Sequence, residues 1–239
     1  DAESEYIFNV SSLGNYNYSV RGFTPPCGYD INYSGTVTMT DEILGCNQDY
    51  MINITSDNVV LNCNNRKIEG TGNYGIYVDA VNNVTVKNCN INITDYGIRY
   101  FEANNGTIDN NNISVETNFG IHLNTANSNK ITNNNIHSNG HGIWIYSSSN
   151  NYNNTIKNND ITTSGSQGTG ILLYSSLNST ITNNNITTNG NSGHGMWISS
   201  SSTVTITNNN ISTIGAGIYL VSSSNSTITN NNLTTKGNS

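Results

Sequence analysis

The sequence predicts an all-β chain wound as a solenoid, a parallel β-helix with three short strands per coil, and three observations carry that prediction. First, a pattern of Gly-Ile followed by Asn-Asn-Asn-Ile recurs in copies that begin at Gly75, Gly97, Gly120, Gly142, Gly170, Gly195 and Gly217. Second, these copies are 22, 23, 22, 28, 25, 22 and 23 residues long and tile residues 75–239 without a gap, the mark of a repeat architecture. Third, each copy holds three strand signals and no helical stretch, as in Gly217-Ile218-Tyr219-Leu220, Ser226-Thr227-Ile228-Thr229 and Asn232-Leu233-Thr234. Side chains alternate between the faces of a strand, so Ile218, Leu220, Ile228 and Leu233 point inward while Tyr219, Thr227, Thr229 and Thr234 point out.

Composition agrees with a solenoid. Only 34% of the 239 residues are hydrophobic, a poor supply for a compact globule but enough for coils that each need a few apolar side chains. At roughly 1.5–3 kcal/mol per fully buried aliphatic side chain, a coil gains several kcal/mol by stacking and little alone. The net charge of −7 is uneven: residues 1–119 hold 14 acids and 5 bases, whereas 120–239 hold one acid, Asp160, and three bases. That balance contains no basic patch for nucleic acid, and no apolar run is long enough to span a membrane. Four cysteines and many Asn-X-Ser/Thr sequons point to an exported protein, with Asp1-Ala2-Glu3 reading as a mature start.

In chain order, residues 1–35 do not fit the repeat, contain the turn signal Pro25-Pro26-Cys27-Gly28, and are expected to form an N-terminal cap or assembly segment. Within it Tyr6, Ile7, Phe8 and Val10 belong to a strand candidate. The β-helix is assigned to residues 36–239, with Val37, Met39, Ile52, Ile54, Val59, Leu61 and Ile68 entering the core first. Among the three pairings that four cysteines permit, the spacing favours Cys27 with Cys46 and Cys63 with Cys89, because the second pair falls in the same bend of successive coils.

The run Cys27-Gly28, Asp57-Asn58-Val59-Val60-Leu61-Asn62-Cys63-Asn64, Ile68-Glu69-Gly70 and then the Gly-Ile and Asn-Asn-Asn-Ile repeats resembles right-handed β-helix proteins of the NosD-like and pectate-lyase-like group. It is especially similar to the Asn-rich versions displayed on archaeal surfaces. The likeness covers residues 27–239 and implies a right-handed, single-stranded β-helix. Its functional implication is broad, since the architecture hosts lyases, hydrolases, adhesins and structural surface proteins.

Three columns of repeated positions stand out. Asn90, Asn112, Asn135, Asp160, Asn185, Asn210 and Asn232 precede the apolar residue of the third strand and are expected to stack as an inward-facing ladder, which would keep sequons there from being glycosylated. Asn83, Asn105, Asn153, Asn178 and Asn225 begin sequons at a bend and are the expected glycan acceptors. On the outward face of the first strand come Tyr77, Arg99, His122, Trp144, Leu172, Trp197 and Tyr219, followed two residues on by Asp79, Phe101, Asn124, Tyr146, Tyr174, Ser199 and Val221. Large aromatic side chains on a solvent face mark a binding or assembly surface, here Tyr77, Arg99, Phe101, Trp144, Tyr146, Tyr174, Trp197 and Tyr219.

The resemblance raises sugar cleavage, which needs two suitably spaced carboxylates. Asp79 is the one acid expected on the first-strand face of the repeats, and Gly140-His141-Gly142 and Gly193-His194-Gly195 imitate a polygalacturonase element without its accompanying Asp pair or Arg-Ile-Lys motif. Copper, which the NosD-like resemblance implies, requires clustered His, Met or Cys, whereas His122, His137, His141 and His194 fall on several faces. No catalytic residue, metal or cofactor is assigned. The expected function is an extracellular structural or adhesive β-helix, a subunit of a surface filament or layer assembled head-to-tail from copies of itself, because the last coil ends without a cap. The alternative is a carbohydrate-binding or polysaccharide-cleaving β-helix that uses the aromatic face.

Overall fold

A computed structural model of the chain describes residues 18–21 and 24–236. They form a right-handed parallel β-helix of about nine turns, three strands to the coil. Three parallel sheets run its length: a first sheet of nine strands, a second of ten and a third of nine. Each strand pairs with its counterpart one coil away, so like residues stack. Ile76, Ile98, Ile121, Ile143, Ile171, Met196 and Ile218 form one such column on the first sheet.

The interior is a single continuous apolar cluster fed by the inward positions of all three sheets, with Ile76, Ile108 and Ile136 among its fully buried members. Coil-opening glycines are dictated by closeness. A Cβ on Gly120 would lie 2.3 Å from Ile136 Cγ2 of its own coil and 2.7 Å from the Gly142 carbonyl of the next, so a methyl group has no room.

Bends are set by left-handed residues, and asparagine supplies most of them. Asn88, Asn110, Asn133, Asn158, Asn183, Asn208 and Asn230 all have φ between 53° and 57° between the second and third sheets. Asn83, Asn105, Asn153, Asn178 and Asn225 do the same at the preceding bend, with φ of 52° to 57°. Asparagine tolerates this region because its short polar side chain bonds locally.

The structure corrects the ladder assignment. Asn112, Asn135, Asp160, Asn185, Asn210 and Asn232 are exposed, and Asn90 is half-buried. They do stack, with Nδ2 of Asn112, Asn135, Asn185, Asn210 and Asn232 donating to Oδ1 of Asn90, Asn112, Asp160, Asn185 and Asn210 in the coil before. The buried ladder lies one residue earlier, at Asn111, Asn134, Asn159, Asn184 and Asn209. Alternation explains the shift: the following Ile faces the core, so the strand's first residue must face out. In the buried ladder the donors point the other way. Asn134 Nδ2 and its own backbone N–H both reach Asn159 Oδ1 in the next coil at 3.0 Å, while Nδ2 also donates to the Ile108 carbonyl.

At the N-terminal end Cys27–Cys46 and Cys63–Cys89 are disulfide-bonded, with Cα separations of 5.6 and 4.7 Å. Cys89 occupies the buried-ladder position, and its N–H donates to Asn111 Oδ1, so the disulfide stands where the ladder begins. Strands Tyr18–Arg21 and Tyr29–Ile31 already pair with Gly35–Thr38 and with residues 52–54, so pairing starts before the boundary expected at residue 36. Tyr6, Ile7, Phe8 and Val10 lie outside the described residues.

Candidate binding surface

The outward face of the first sheet carries an aromatic column parallel to the solenoid axis. Tyr77, Arg99, His122, Trp144, Leu172, Trp197 and Tyr219 are successive register partners, and Phe101, Asn124, Tyr146 and Tyr174 form a second row beside them. Stacking links Tyr146 to Trp144 at 5.4 Å and to Tyr174 at 5.5 Å. Tyr174, Trp197 and Tyr219 are exposed, whereas Tyr77, Arg99, Phe101, Trp144 and Tyr146 are half-buried in the stack.

A third row, which sequence reasoning missed, lies just before the coil glycines: Tyr74, Tyr96, Phe119, His141 and His194. These rings join the column, with Tyr74 5.1 Å from Tyr77 and Phe119 4.5 Å from Trp144. Strict alternation conceals them, because the glycine and the following Ile both face the core and bring positions three apart, such as Tyr74 and Tyr77, onto one face. Aromatic rings immediately before the repeating Gly were the available signal. Leu172 interrupts the stack, and His194, Trp197 and Tyr219 form a separate cluster beyond it.

Arg99 sits within the column. Its Nη1 donates to the Tyr74 hydroxyl at 2.7 Å, and its guanidinium lies 5.3 to 5.7 Å from the ring centres of Tyr74, Tyr77, Tyr96 and Phe101. On the next rung His122 is 4% exposed and lies parallel to Trp144 at 4.6 Å. Burial, and then the Arg99 charge, lower its pKa to about 3, so its imidazole is neutral. His141 is also held below its ordinary value by burial. Its Nδ1 accepts the Thr169 N–H, and His194 Nδ1 accepts the Ala216 N–H, so both Gly-His-Gly elements serve the contact between coils.

Acids are few on this face. Asp30, in the first described strand of the sheet, joins Asp79 there and accepts a hydrogen bond from Asn53 Nδ2 at 2.8 Å. Burial and then Asp79 raise the Tyr77 pKa, and burial and then Asp95 raise that of Tyr96, keeping both hydroxyls protonated.

Elsewhere, the bend residues Asn83, Asn105, Asn153, Asn178 and Asn225 are exposed. Asn83 Nδ2 donates to Asn58 Oδ1, whereas the amides of Asn105, Asn153, Asn178 and Asn225 make no side-chain hydrogen bond among the described residues. Exposure does not separate this column from the third-sheet one; what differs is that the latter's amides are engaged rung to rung.

A family model described as periplasmic copper-binding protein (NosD) matches residues 14–168, well over half of the chain. The chain belongs to the NosD family. A second model, right handed beta helix region, matches residues 152–239 of this NosD-family chain. Comparison with curated protein sequences gives no match. Among solved structures it is similar to the Dettilon tailspike protein, with 14% identity, a TM-score of 0.55, and coverage of 84% of this chain and 51% of that one. It is also similar to the periplasmic alginate epimerase AlgG, with 14% identity, a TM-score of 0.56, and coverage of 83% and 69%. The chain thus spans about half of the tailspike's length, and these likenesses concern the fold. No helix among the described residues is long and apolar enough to cross a membrane.

The family description raises copper, and the donors present do not fit it. All four cysteines are in disulfides, Met39, Met51 and Met196 are fully buried in the core, and His137 lies on the third sheet, away from the others. His141 and His194 spend Nδ1 on backbone N–H groups, and no group of three His, Cys, Asp or Glu comes together among the described residues.

Proposed function

We propose that this NosD-family chain is an extracytoplasmic adhesive β-helix that binds polysaccharide along the aromatic face of its first sheet without cleaving it. The observation that carries this reading is the stack from Tyr74 through Tyr96, Phe119, Trp144 and Tyr146 to Tyr174, aligned with the axis and open to solvent at Tyr174. A sugar ring has an apolar face of C–H groups and a polar rim, so it stacks on an aromatic ring and leaves its hydroxyls in water. Rings in a line parallel to the axis suit a polymer. The two disulfides support an oxidising compartment. Hydrolysis needs paired carboxylates about the scissile bond, and of the two acids on this face, Asp30 and Asp79, Asp30 is tied to Asn53.

The test is binding to an array of soluble and insoluble polysaccharides, with products followed by mass spectrometry. Wild type retains polymer and releases no oligosaccharide, and Tyr174→Ala or Tyr146→Ala weakens retention at least tenfold. Absence of binding across the array, or release of cleavage products, would refute it.

Head-to-tail assembly is a second reading. Its assembly strand would be the candidate that holds Tyr6, Ile7, Phe8 and Val10, added to the edge of a neighbouring copy. Deleting residues 1–10, which hold the strand candidate Tyr6 to Val10, then abolishes polymers seen by electron microscopy. Glycosylation of Asn83, Asn105, Asn153, Asn178 and Asn225 belongs to the same surface reading. Intact-glycopeptide mass spectrometry of native material finds it on that bend column rather than on Asn185 or Asn210.

A further inference from the structure

Resting on that sugar-binding reading, we propose that the polysaccharide carries an anionic substituent and that Arg99 is the residue that reads it. Arg99 is the one Lys or Arg in the described strands of the first sheet. It has no carboxylate partner among the described residues, where the ion pair found joins Lys67 to Glu69 on the third sheet. Lys87 and Lys130, among others, are also without an ion pair among the described residues, and what sets Arg99 apart is its place inside the aromatic column.

The cage around it prepares it for an anion. Four rings and the hydrogen bond to Tyr74 hold the planar group in one orientation while using a single N–H. The rings displace water from its flanks, which strengthens the field felt by an incoming negative charge. A planar fork with unused donors matches the oxygens of a carboxylate or a sulfate ester.

Independent support comes from unsatisfied atoms. Eight buried side-chain N or O atoms lack a partner among the described residues, and four of them are Arg99 Nε, His122 Nδ1, His122 Nε2 and Trp144 Nε1. These three side chains occupy consecutive rungs of one column. Buried polar groups are ordinarily paired, so the N–H groups of Arg99, Trp144 and the neutral His122 are donors that an anionic oxygen drawn into this column would satisfy.

Carboxylate and sulfate share the chemistry, and the test separates them. Affinity is measured for a polyuronate against its methyl ester, and for a sulfated galactan against its desulfated form, at two salt concentrations. Wild type binds the charged member of at least one pair tenfold or more tighter than the neutral member, and the difference shrinks at high salt. Arg99→Gln lowers the affinity for that charged polymer to the level of its neutral partner, Arg99→Lys keeps part of the preference, and Tyr174→Ala weakens both members together. Equal affinity within both pairs, or a preference that survives Arg99→Gln, overturns the proposal and leaves sugar binding standing. Failure of wild type to bind any polysaccharide overturns both.

Discussion

In Asn208-Asn209-Asn210 three identical side chains do three different things. Asn208 turns the chain with φ of 57°, Asn209 is 1% exposed and bridges coils, and Asn210 lies on the surface with Nδ2 on Asn185. Asn209 Oδ1 accepts from both the backbone N–H and Nδ2 of Asn184. Asn209→Leu leaves the Asn184 backbone N–H buried and unpaired at about 1–3 kcal/mol, whereas Asn184 Nδ2 keeps the Ile156 and Thr182 carbonyls, and Asn210→Leu costs about 1 kcal/mol or less. Urea unfolding of the two variants checks this, and equal losses would contradict the assignment. The repeat of three asparagines is legible in the sequence, and alternation back from Ile211 turns Asn210 outward; burial of Asn209 is less legible, since an amide enters a core only where the adjacent coils satisfy it. A second local pairing joins a large core residue to a small one. Tyr100 fills a core position held by Val78 and Leu123 in adjacent coils, and Gly106 is the residue that accommodates it, because a Cβ there would come within 2.5 Å of the Tyr100 ring. Gly106→Val should therefore destabilise by about 1–3 kcal/mol through overpacking. Tyr100→Leu in the same chain recovers part of the loss, and thermal melts of the single and double variants measure the coupling.

Among the elements, the first sheet differs from its neighbours in what it turns to solvent. Its two outward rows are legible from the residues after each coil's Gly, including Trp144, Tyr146 and Trp197, because an undisturbed strand keeps its alternation. The third row, with Tyr96 and Phe119, is not, since it stands before a Gly and an Ile that both face the core. The same stack makes the sheet sensitive to acid. His122 titrates near 6.5 when unfolded and is lowered to about 3 when folded, so below about pH 6.5 the unfolded chain takes up a proton that the folded chain refuses. Stability is complete above that pH and falls as pH drops from about 6.5 toward 3. The loss amounts to about 2 kcal/mol by pH 5, and burial of His141 acts in the same direction. Replacing His122 with Phe should shrink the difference in unfolding free energy between pH 7 and pH 5. An unchanged difference would assign the acid sensitivity to other groups.

At the scale of the whole molecule, each coil touches only its neighbours, so stability is a sum of local terms. The disulfides lie at one end of the array. The loop closed by Cys63 and Cys89 spans 26 residues, and its constraint is worth about 3–4 kcal/mol. In a Cys63→Ser, Cys89→Ser double variant, hydrogen exchange should quicken across the first coils and remain unchanged from about Gly142 onward. Uniform acceleration along the chain would mean that the solenoid melts as one unit. The repeat period makes this architecture readable in the amino-acid sequence, whereas the cap boundary is obscured because strands such as Tyr29–Ile31 pair without carrying the repeat's signature. The two amide ladders have a consequence for length. From amide to amide, one passes its hydrogen bonds toward later coils and the other toward earlier ones. Their dipoles therefore oppose along the axis instead of summing as the peptide units of an α-helix do, and parallel sheets themselves add little. Each added coil extends both ladders at once, so lengthening the repeat adds amide dipoles in opposed directions instead of in one.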